Sequence, residues 1–266
     1  MTGTPQSIGI FDSGVGGISV LCEIRKRLPA ERLVYVADAA HIPYGMHTED
    51  FVLQRSEAIA HTLIRQGAKA LVVACNTATA AALSQLREKF DVPVVGMEPA
   101  IKPAVAATRS GTIGVLATAG TLGSARFADL LSRFGDGIRV LMEPCPGLVE
   151  QVELGQFDDP VTRRLVRCHL EPLLAAGADT IILGCTHYPF LRSLIEEEAG
   201  NDIEIIYTGP AVARQLQRRL GEDGLLEEGT TGGSLQFHTT GEIEPMNKLL
   251  SRLCPGDWPV TALPEV

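Results

Sequence analysis

The sequence predicts an α/β protein built twice over: two similar three-layer domains with mostly parallel sheets, related by a pseudo-twofold. Three observations lead there. Short apolar runs alternate with helix-length segments, the pattern of repeated βα units. Runs such as Leu71-Val72-Val73 and Ile181-Ile182-Leu183 are apolar on both faces, as the central strands of a parallel sheet must be. The chain also repeats itself: residues 66–77 overlay residues 176–187 at an offset of 110, setting Gly67 on Gly177, Ala68 on Ala178 and Cys75 on Cys185. Ile8-Gly9-Ile10-Phe11-Asp12-Ser13 matches Ile113-Gly114-Val115-Leu116-Ala117-Thr118 at an offset of 105. A period near a hundred residues means duplicated domains, not a solenoid.

Taken in order, strands are expected at 8–11, 33–37, 70–74 and 93–96, then at 112–116, 138–142, 179–183 and 203–207. Residues 49–66 form a helix, because Val52, Ile59, Ala60 and Leu63 fall on one stripe; Thr48 caps its start and Gly67 follows its end. Residues 160–176 form another, with Asp159 and Pro160 at cap and first position and Pro172 expected to kink it. The chain changes sheets near Glu98-Pro99-Ala100 and again near Thr208-Gly209. A glycine-rich stretch at 229–233, a strand at 234–238 and a helix at 241–253 pack back on the first half. The domains are therefore 1–98 plus 208–266, and 99–207.

A chain of 266 residues with 45% hydrophobic and 21% charged residues has the composition of a soluble globular protein. No apolar run approaches the ~20 residues of a membrane span. Met1 to Ser7 lacks the basic and apolar regions of a signal peptide, so a cytoplasmic protein is expected. A net charge of −9 argues against a nucleic-acid surface, and Arg25-Lys26-Arg27 and Arg163-Arg164 read as solvated helix faces. Six cysteines are too sparse for a disulfide framework, and no spacing suggests a metal. Cys22, Cys145, Cys168 and Cys254 read as small buried apolar groups.

Cys75 and Cys185 each stand at the carboxyl end of a central strand, where parallel sheets place their ligand crevices, and each is expected to precede a helix whose N–H groups favour a thiolate. Two equivalent acid/base groups suit a reaction that takes a proton from one face of a carbon and returns one to the other. Asp12-Ser13-Gly14-Val15-Gly16-Gly17 follows the first strand but has neither dinucleotide nor phosphate-loop spacing. Asp12 offers a carboxylate to hold an ammonium or relay protons to a thiol. Pro43-Tyr44-Gly45 offers backbone N–H groups to a carboxylate. His187, two residues after Cys185, can orient or protonate that thiol. Glu153 reads by itself as a solvated helix carboxylate.

Asp12-Ser13-Gly14-x-Gly-Gly, Pro43-Tyr44-Gly45, Ala74-Cys75-Asn76-Thr77-Ala78 and Gly184-Cys185-Thr186-His187-Tyr188-Pro189 together resemble the glutamate racemase family of the cofactor-independent aspartate/glutamate racemases, from about residue 8 to 220. That resemblance implies two α/β domains with the active site in the cleft between them, D- and L-glutamate as the small-molecule substrate, no cofactor, and a product used for peptidoglycan. It also implies that one cysteine removes the α-proton and the other returns one, with Asp12 assisting Cys75 and His187 assisting Cys185. Glu153 falls where the family has an auxiliary carboxylate. Ser13, Pro43, Tyr44, Gly45, Asn76, Thr77 and Thr186 match substrate-binding positions, and Thr118 and Thr121 match more loosely. The chain departs from the family pattern at Ala39, Met46, Phe127 and Tyr207. A homodimer is the assembly considered, although no residue pattern selects it.

Other readings stay open from residues alone. A related racemase acting on aspartate would need the same thiols. A non-catalytic amino-acid-binding or thiol protein would need only one cysteine in the crevice, or two near enough to bridge. A pyridoxal-phosphate racemase would need a Schiff-base lysine at a strand end, which the sequence does not place.

Overall fold

Each sheet is assembled by strands that run from a buried middle to a helix lying across the face. In the computed structural model, which describes residues 6–256 and 258–263, the chain runs β1 (Ser7–Asp12), α1 (Ile18–Arg27), β2 (Leu33–Ala37), α2 (Glu49–Arg65), β3 (Ala68–Val73), α3 (Asn76–Lys89) and β4 (Val94–Val95). It continues as α4 (Ile101–Ala107), β5 (Thr112–Ala117), α5 (Ala119–Leu122), α6 (Ala125–Phe134), β6 (Arg139–Pro144), α7 (Leu148–Glu153), α8 (Pro160–Ala175), β7 (Thr180–Leu183), α9 (Arg192–Ala199) and β8 (Glu204–Tyr207). It ends with α10 (Gly209–Glu222), β9 (Leu235–Thr239), α11 (Ile243–Leu253) and β10 (Val260–Ala262). The chain divides into two units, one up to Met97 and from Gly209 onward, the other Glu98–Thr208.

The first unit holds a six-stranded sheet in the order β10-β9-β2-β1-β3-β4, the second a four-stranded sheet in the order β6-β5-β7-β8. All pairings among the described strands are parallel. The run β2-β1-β3-β4 thus has the order of β6-β5-β7-β8, and the tail adds β9 beside β2 and β10 beside β9.

The repeat reaches below topology into packing. Gly9 on β1 pairs with Leu71 on β3, and Gly114 on β5 pairs with Ile181 on β7. A Cβ on Gly9 would stand 3.0 Å from Leu63 of α2, and one on Gly114 would stand 2.8 Å from Leu173 of α8. Leu63 and Leu173 are themselves related by the 110-residue offset, so each unit seats the same helix on the same flat spot of its sheet. Burying either leucine contributes roughly 1.5–3 kcal/mol. Both helices then stop in the same way. Gly67 and Gly177 adopt φ of 89° and 88°, the left-handed turn that glycine makes without a Cβ penalty. Their N–H groups bond Ile64 O at 2.9 Å and Leu174 O at 3.0 Å.

The helix starts follow from local chemistry. Thr48 Oγ1 accepts the Phe51 N–H at 3.3 Å, a cap worth about 1 kcal/mol. Asp159 accepts the N–H groups of Val161 and Thr162 ahead of Pro160. Pro172 lies inside α8, which continues past it to Ala175; its missing N–H leaves only the Cys168 carbonyl without its helical donor. One expectation needs correction. Cys168 is exposed and Cys22 half-buried, so only Cys145 and Cys254 of the four remaining cysteines are buried core thiols. The arginine runs lie on exposed helix faces as expected, Arg25, Lys26, Arg27 and Arg164 all being exposed. Arg25 stacks 4.5 Å from the Trp258 ring, and Arg163 pairs with Asp158 and Glu197 at 2.6 and 2.9 Å.

Candidate active site

In the first unit, the carboxyl ends of β1, β2 and β3 bring the predicted groups to one edge. The ladder carries on past the strands, with Ala74 N–H bonded to Phe11 O at 2.8 Å and Asp38 N–H to Asp12 O at 2.9 Å. Asp12 is fully buried, and its Oδ1 accepts the Ser13 N–H at 2.6 Å and the Ser13 hydroxyl at 3.2 Å. The glycine loop lies flat over these strand ends. A Cβ on Gly17 would come within 2.9 Å of the Cβ atoms of Asp12 and Ala74, and the Tyr35 hydroxyl ties the loop down through Gly14 O at 2.7 Å.

Cys75 is buried at the N-cap of the fourteen-residue helix α3, and its Sγ accepts the Ala78 N–H at 3.4 Å. That end of a helix carries about half a positive charge, which favours the thiolate. The next residue, Asn76, is 4% exposed, and neither its Oδ1 nor its Nδ2 has a partner. An unpaired buried polar group costs about 1–3 kcal/mol, so this amide is held at a cost to stability. Thr77 follows in the first turn of α3. Tyr44 lies in a short 3-10 turn, Tyr44–Met46, after a cis Ile42-Pro43 bond. Its hydroxyl donates to Asp38 Oδ2 at 2.6 Å, and burial together with that carboxylate pushes the phenol far above its ordinary pKa. Tyr44 therefore stays protonated at neutral pH, and Gly45 beside it is half-buried.

In the second unit, β5 leads to Thr118 and β7 leads to Gly184-Cys185, with Gly184 N–H bonded to Leu116 O at 2.7 Å. Thr118 caps the four-residue α5, accepting the Thr121 N–H at 3.2 Å, and the two hydroxyls lie 3.0 Å apart. Cys185 is buried, with Sγ 3.7 Å from His187 Nδ1; His187 Nε2 lies 2.7 Å from Glu153 Oε1 at the end of α7. Burial disfavours the imidazolium, but the bonds to Cys185 and Glu153 outweigh it and hold the histidine well above its usual pKa. Each ring nitrogen has an acceptor, so His187 can carry a proton to or from the thiol while Glu153 fixes its orientation. Thr186 is buried between them in sequence.

The expected helix after Cys185 is not there. A turn through Thr186 and His187 leads into a 3-10 segment, Tyr188–Leu191, and α9 begins only at Arg192. Pro189, which has no N–H to give, stands in that segment. A further thiol of this unit is the buried one that the sequence reading expected. Cys145 is buried, and burial, the Glu143 carboxylate and Cys185 all push its pKa up, so it stays protonated. Sequence reading missed Asp38 and Arg55, although a carboxylate closing β2 beside the one closing β1 was a visible signal. Of the departures from the family pattern, Phe127 is buried in the second unit's core and Met46 is 79% exposed.

A central pair of parallel strands delivers one thiol in each unit, beside a carboxylate in one and a histidine–glutamate pair in the other: this is the arrangement of an acid–base enzyme. The description Asp/Glu/Hydantoin racemase matches residues 16–216. A glutamate racemase of Methylococcus capsulatus is 53% identical over 264 residues, covering 99% of this chain and 97% of its own. The crystal structure of a glutamate racemase isoform from Bacillus anthracis superposes with a TM-score of 0.90 at 35% identity, covering 98% of both chains. That of Escherichia coli glutamate racemase, in complex with L-glutamate and the activator UDP-MurNAc-Ala, gives 0.87 at 32% identity and covers 98% of this chain and 100% of that one. The chain belongs to the Asp/Glu/Hydantoin racemase family. No helix among the described residues is long and apolar enough to cross a membrane.

Proposed function

We propose that the protein interconverts L- and D-glutamate by two-base proton transfer, without a cofactor, and so supplies D-glutamate for peptidoglycan. The observation that carries this reading is the pair of buried thiols at the ends of equivalent strands, Cys75 after β3 and Cys185 after β7. In one direction one cysteine, as thiolate, takes the α-proton and becomes a thiol. The resulting carbanion then takes the proton of the other thiol on its opposite face. The reverse direction exchanges the roles. Asp12 serves Cys75, and His187 with Glu153 serves Cys185. The unpartnered Asn76 amide supports a polar ligand at the first thiol. Ser13, Pro43, Tyr44, Gly45, Thr77, Thr118, Thr121 and Thr186 complete the proposed substrate contacts. Glutamate is favoured over aspartate by the relatives named above, all of them glutamate racemases. A cytoplasmic location and a homodimer belong to this reading as expectations, for cell fractionation and light scattering to check.

The test is incubation of the purified protein with D- or L-glutamate in D2O without added cofactor, following optical rotation and α-deuterium together. The reading requires rotation to decay to zero from either enantiomer with deuterium appearing in the product. Activity that is lost on dialysis and restored only by pyridoxal phosphate would reject it.

A further inference from the structure

Asp38 does no chemistry in the mechanism above, yet it is a heavily bonded carboxylate at the edge that carries Cys75. It is fully buried at the end of β2. Its Oδ1 accepts from Arg55 Nη2 at 2.8 Å and Thr240 Oγ1 at 2.8 Å and faces His41 Nδ1 at 3.0 Å. Its Oδ2 accepts from Tyr44 Oη at 2.6 Å and Arg55 Nε at 2.9 Å. The Arg55 fork grips both oxygens, a geometry that fixes direction as well as charge. Burial raises the carboxyl's pKa, but the bonds from Arg55, Tyr44 and Thr240 outweigh it and hold it below the usual range. Asp38 is thus a paired carboxylate, ionised at neutral pH, with both oxygens already bonded.

Its effect falls on one loop. Among the described residues between Asp38 and Val52, Tyr44 is the one that is buried. The turn's own bonds, Met46 N–H to Pro43 O at 3.2 Å and His47 N–H to Tyr44 O at 3.1 Å, shape it locally without attaching it to the sheet. The Tyr44 side chain supplies that attachment, with its ring in the first unit's buried core and its hydroxyl on Asp38. We propose that Asp38, gripped by Arg55 and holding the Tyr44 hydroxyl, is a positioning residue that sets the Tyr44-Gly45 backbone amides for the substrate's carboxylate. This rests on the reading of Pro43-Tyr44-Gly45 as a substrate-binding loop. The tyrosine side chain is an anchor, and the amides do the binding.

The test is steady-state kinetics on both enantiomers with wild type, Tyr44→Phe, Asp38→Asn, Arg55→Lys, Arg55→Met and the double variant Tyr44→Phe/Arg55→Met. Loosening the anchor should raise KM for D- and L-glutamate by about tenfold in Tyr44→Phe, the scale of one charge-assisted hydrogen bond, while kcat stays within about threefold. Arg55→Lys, which keeps the charge but not the fork, should fall between wild type and Arg55→Met. The double variant should lose little more than the worse single one, because both break the same attachment. An active wild type whose variants keep KM and lose kcat or active fraction would overturn the positioning role alone, as would losses that multiply in the double variant. A wild type inert on glutamate would overturn the functional reading and this inference with it.

Discussion

Cys75 and Cys185 close equivalent strands, yet the two halves of the molecule stabilise their thiols by different means. Cys75 heads α3 and takes a backbone N–H at 3.4 Å, so its anion is favoured by a helix end. Cys185 heads a turn, and a side chain does the work there: His187 at 3.7 Å, backed by Glu153 at 2.7 Å from its other nitrogen. A helix end offers about half a charge that no pH in the working range removes. An imidazolium offers a whole charge and a transferable proton, but it titrates. The duplicated sheet fixes where the thiols stand; the few residues after each strand decide what each is bonded to.

The largest expected effect comes from removing either thiol. Cys75→Ala and Cys185→Ala should each lower racemisation by more than about 10⁴-fold in both directions, since every turnover uses both groups. A single variant retaining a tenth of wild-type rate would mean that one side suffices.

The next effect sharpens the contrast. His187→Asn should cost about 10²- to 10⁴-fold in kcat, and Glu153→Gln less, because the histidine remains to move the proton. The free enantiomers have equal energy, so kcat/KM must fall equally in both directions. Any asymmetry appears in kcat and KM separately, or in the isotope effects from D- and L-glutamate. Stability gives an independent reading of the same charge. The folded pKa of His187 is raised, so its contribution is complete below the unfolded value near 6.5 and fades as pH rises through the folded one. The gap in Tm between wild type and His187→Asn should therefore shrink as pH rises above about 6.5 and through the raised folded pKa. A gap that widens over that range would mean that the histidine is held neutral.

A smaller effect should separate binding from folding at the other thiol. Asn76→Leu removes two buried polar atoms that lack partners. It should raise the Tm of the ligand-free protein by ~2–4 °C per kcal/mol recovered while raising KM for glutamate. A lower Tm with KM unchanged would make Asn76 a structural residue. The smallest effect tests the duplication itself. Gly67→Ala and Gly177→Ala should each destabilise by about 1 kcal/mol, because both glycines sit at left-handed φ. A Cβ at Gly177 would meet nothing within 4 Å, so the cost there is conformational. Denaturant midpoints that move by clearly different amounts would show that the two helix ends are not equivalent.

Much of the architecture was legible because it depends on local pattern. The apolar runs located β1 to β9 to within a few residues, and the glycine and cysteine matches announced the duplication. β10, only three residues long and on the sheet's edge, carries too little apolar periodicity to stand out. The missing helix after Cys185 had a local sign in Pro189, but proline is also welcome in a helix's first turn, so the sign was ambiguous. The Glu153–His187 pair joins residues on separate elements 34 positions apart, which no spacing rule reaches. Without the family resemblance Glu153 was one helix carboxylate among several. Asp38 was overlooked although Tyr44 and Arg55 follow it by 6 and 17 residues: no spacing rule pairs those residue types, and its third partner, Thr240, lies 202 positions away.

The most direct test of opposed thiols is α-proton exchange by the single-thiol variants. Each variant keeps one base, so in D2O it should wash the α-proton out of the enantiomer whose proton that base faces, without racemising it. The account predicts that Cys75→Ala and Cys185→Ala show opposite preferences between D- and L-glutamate. The same preference in both would contradict it.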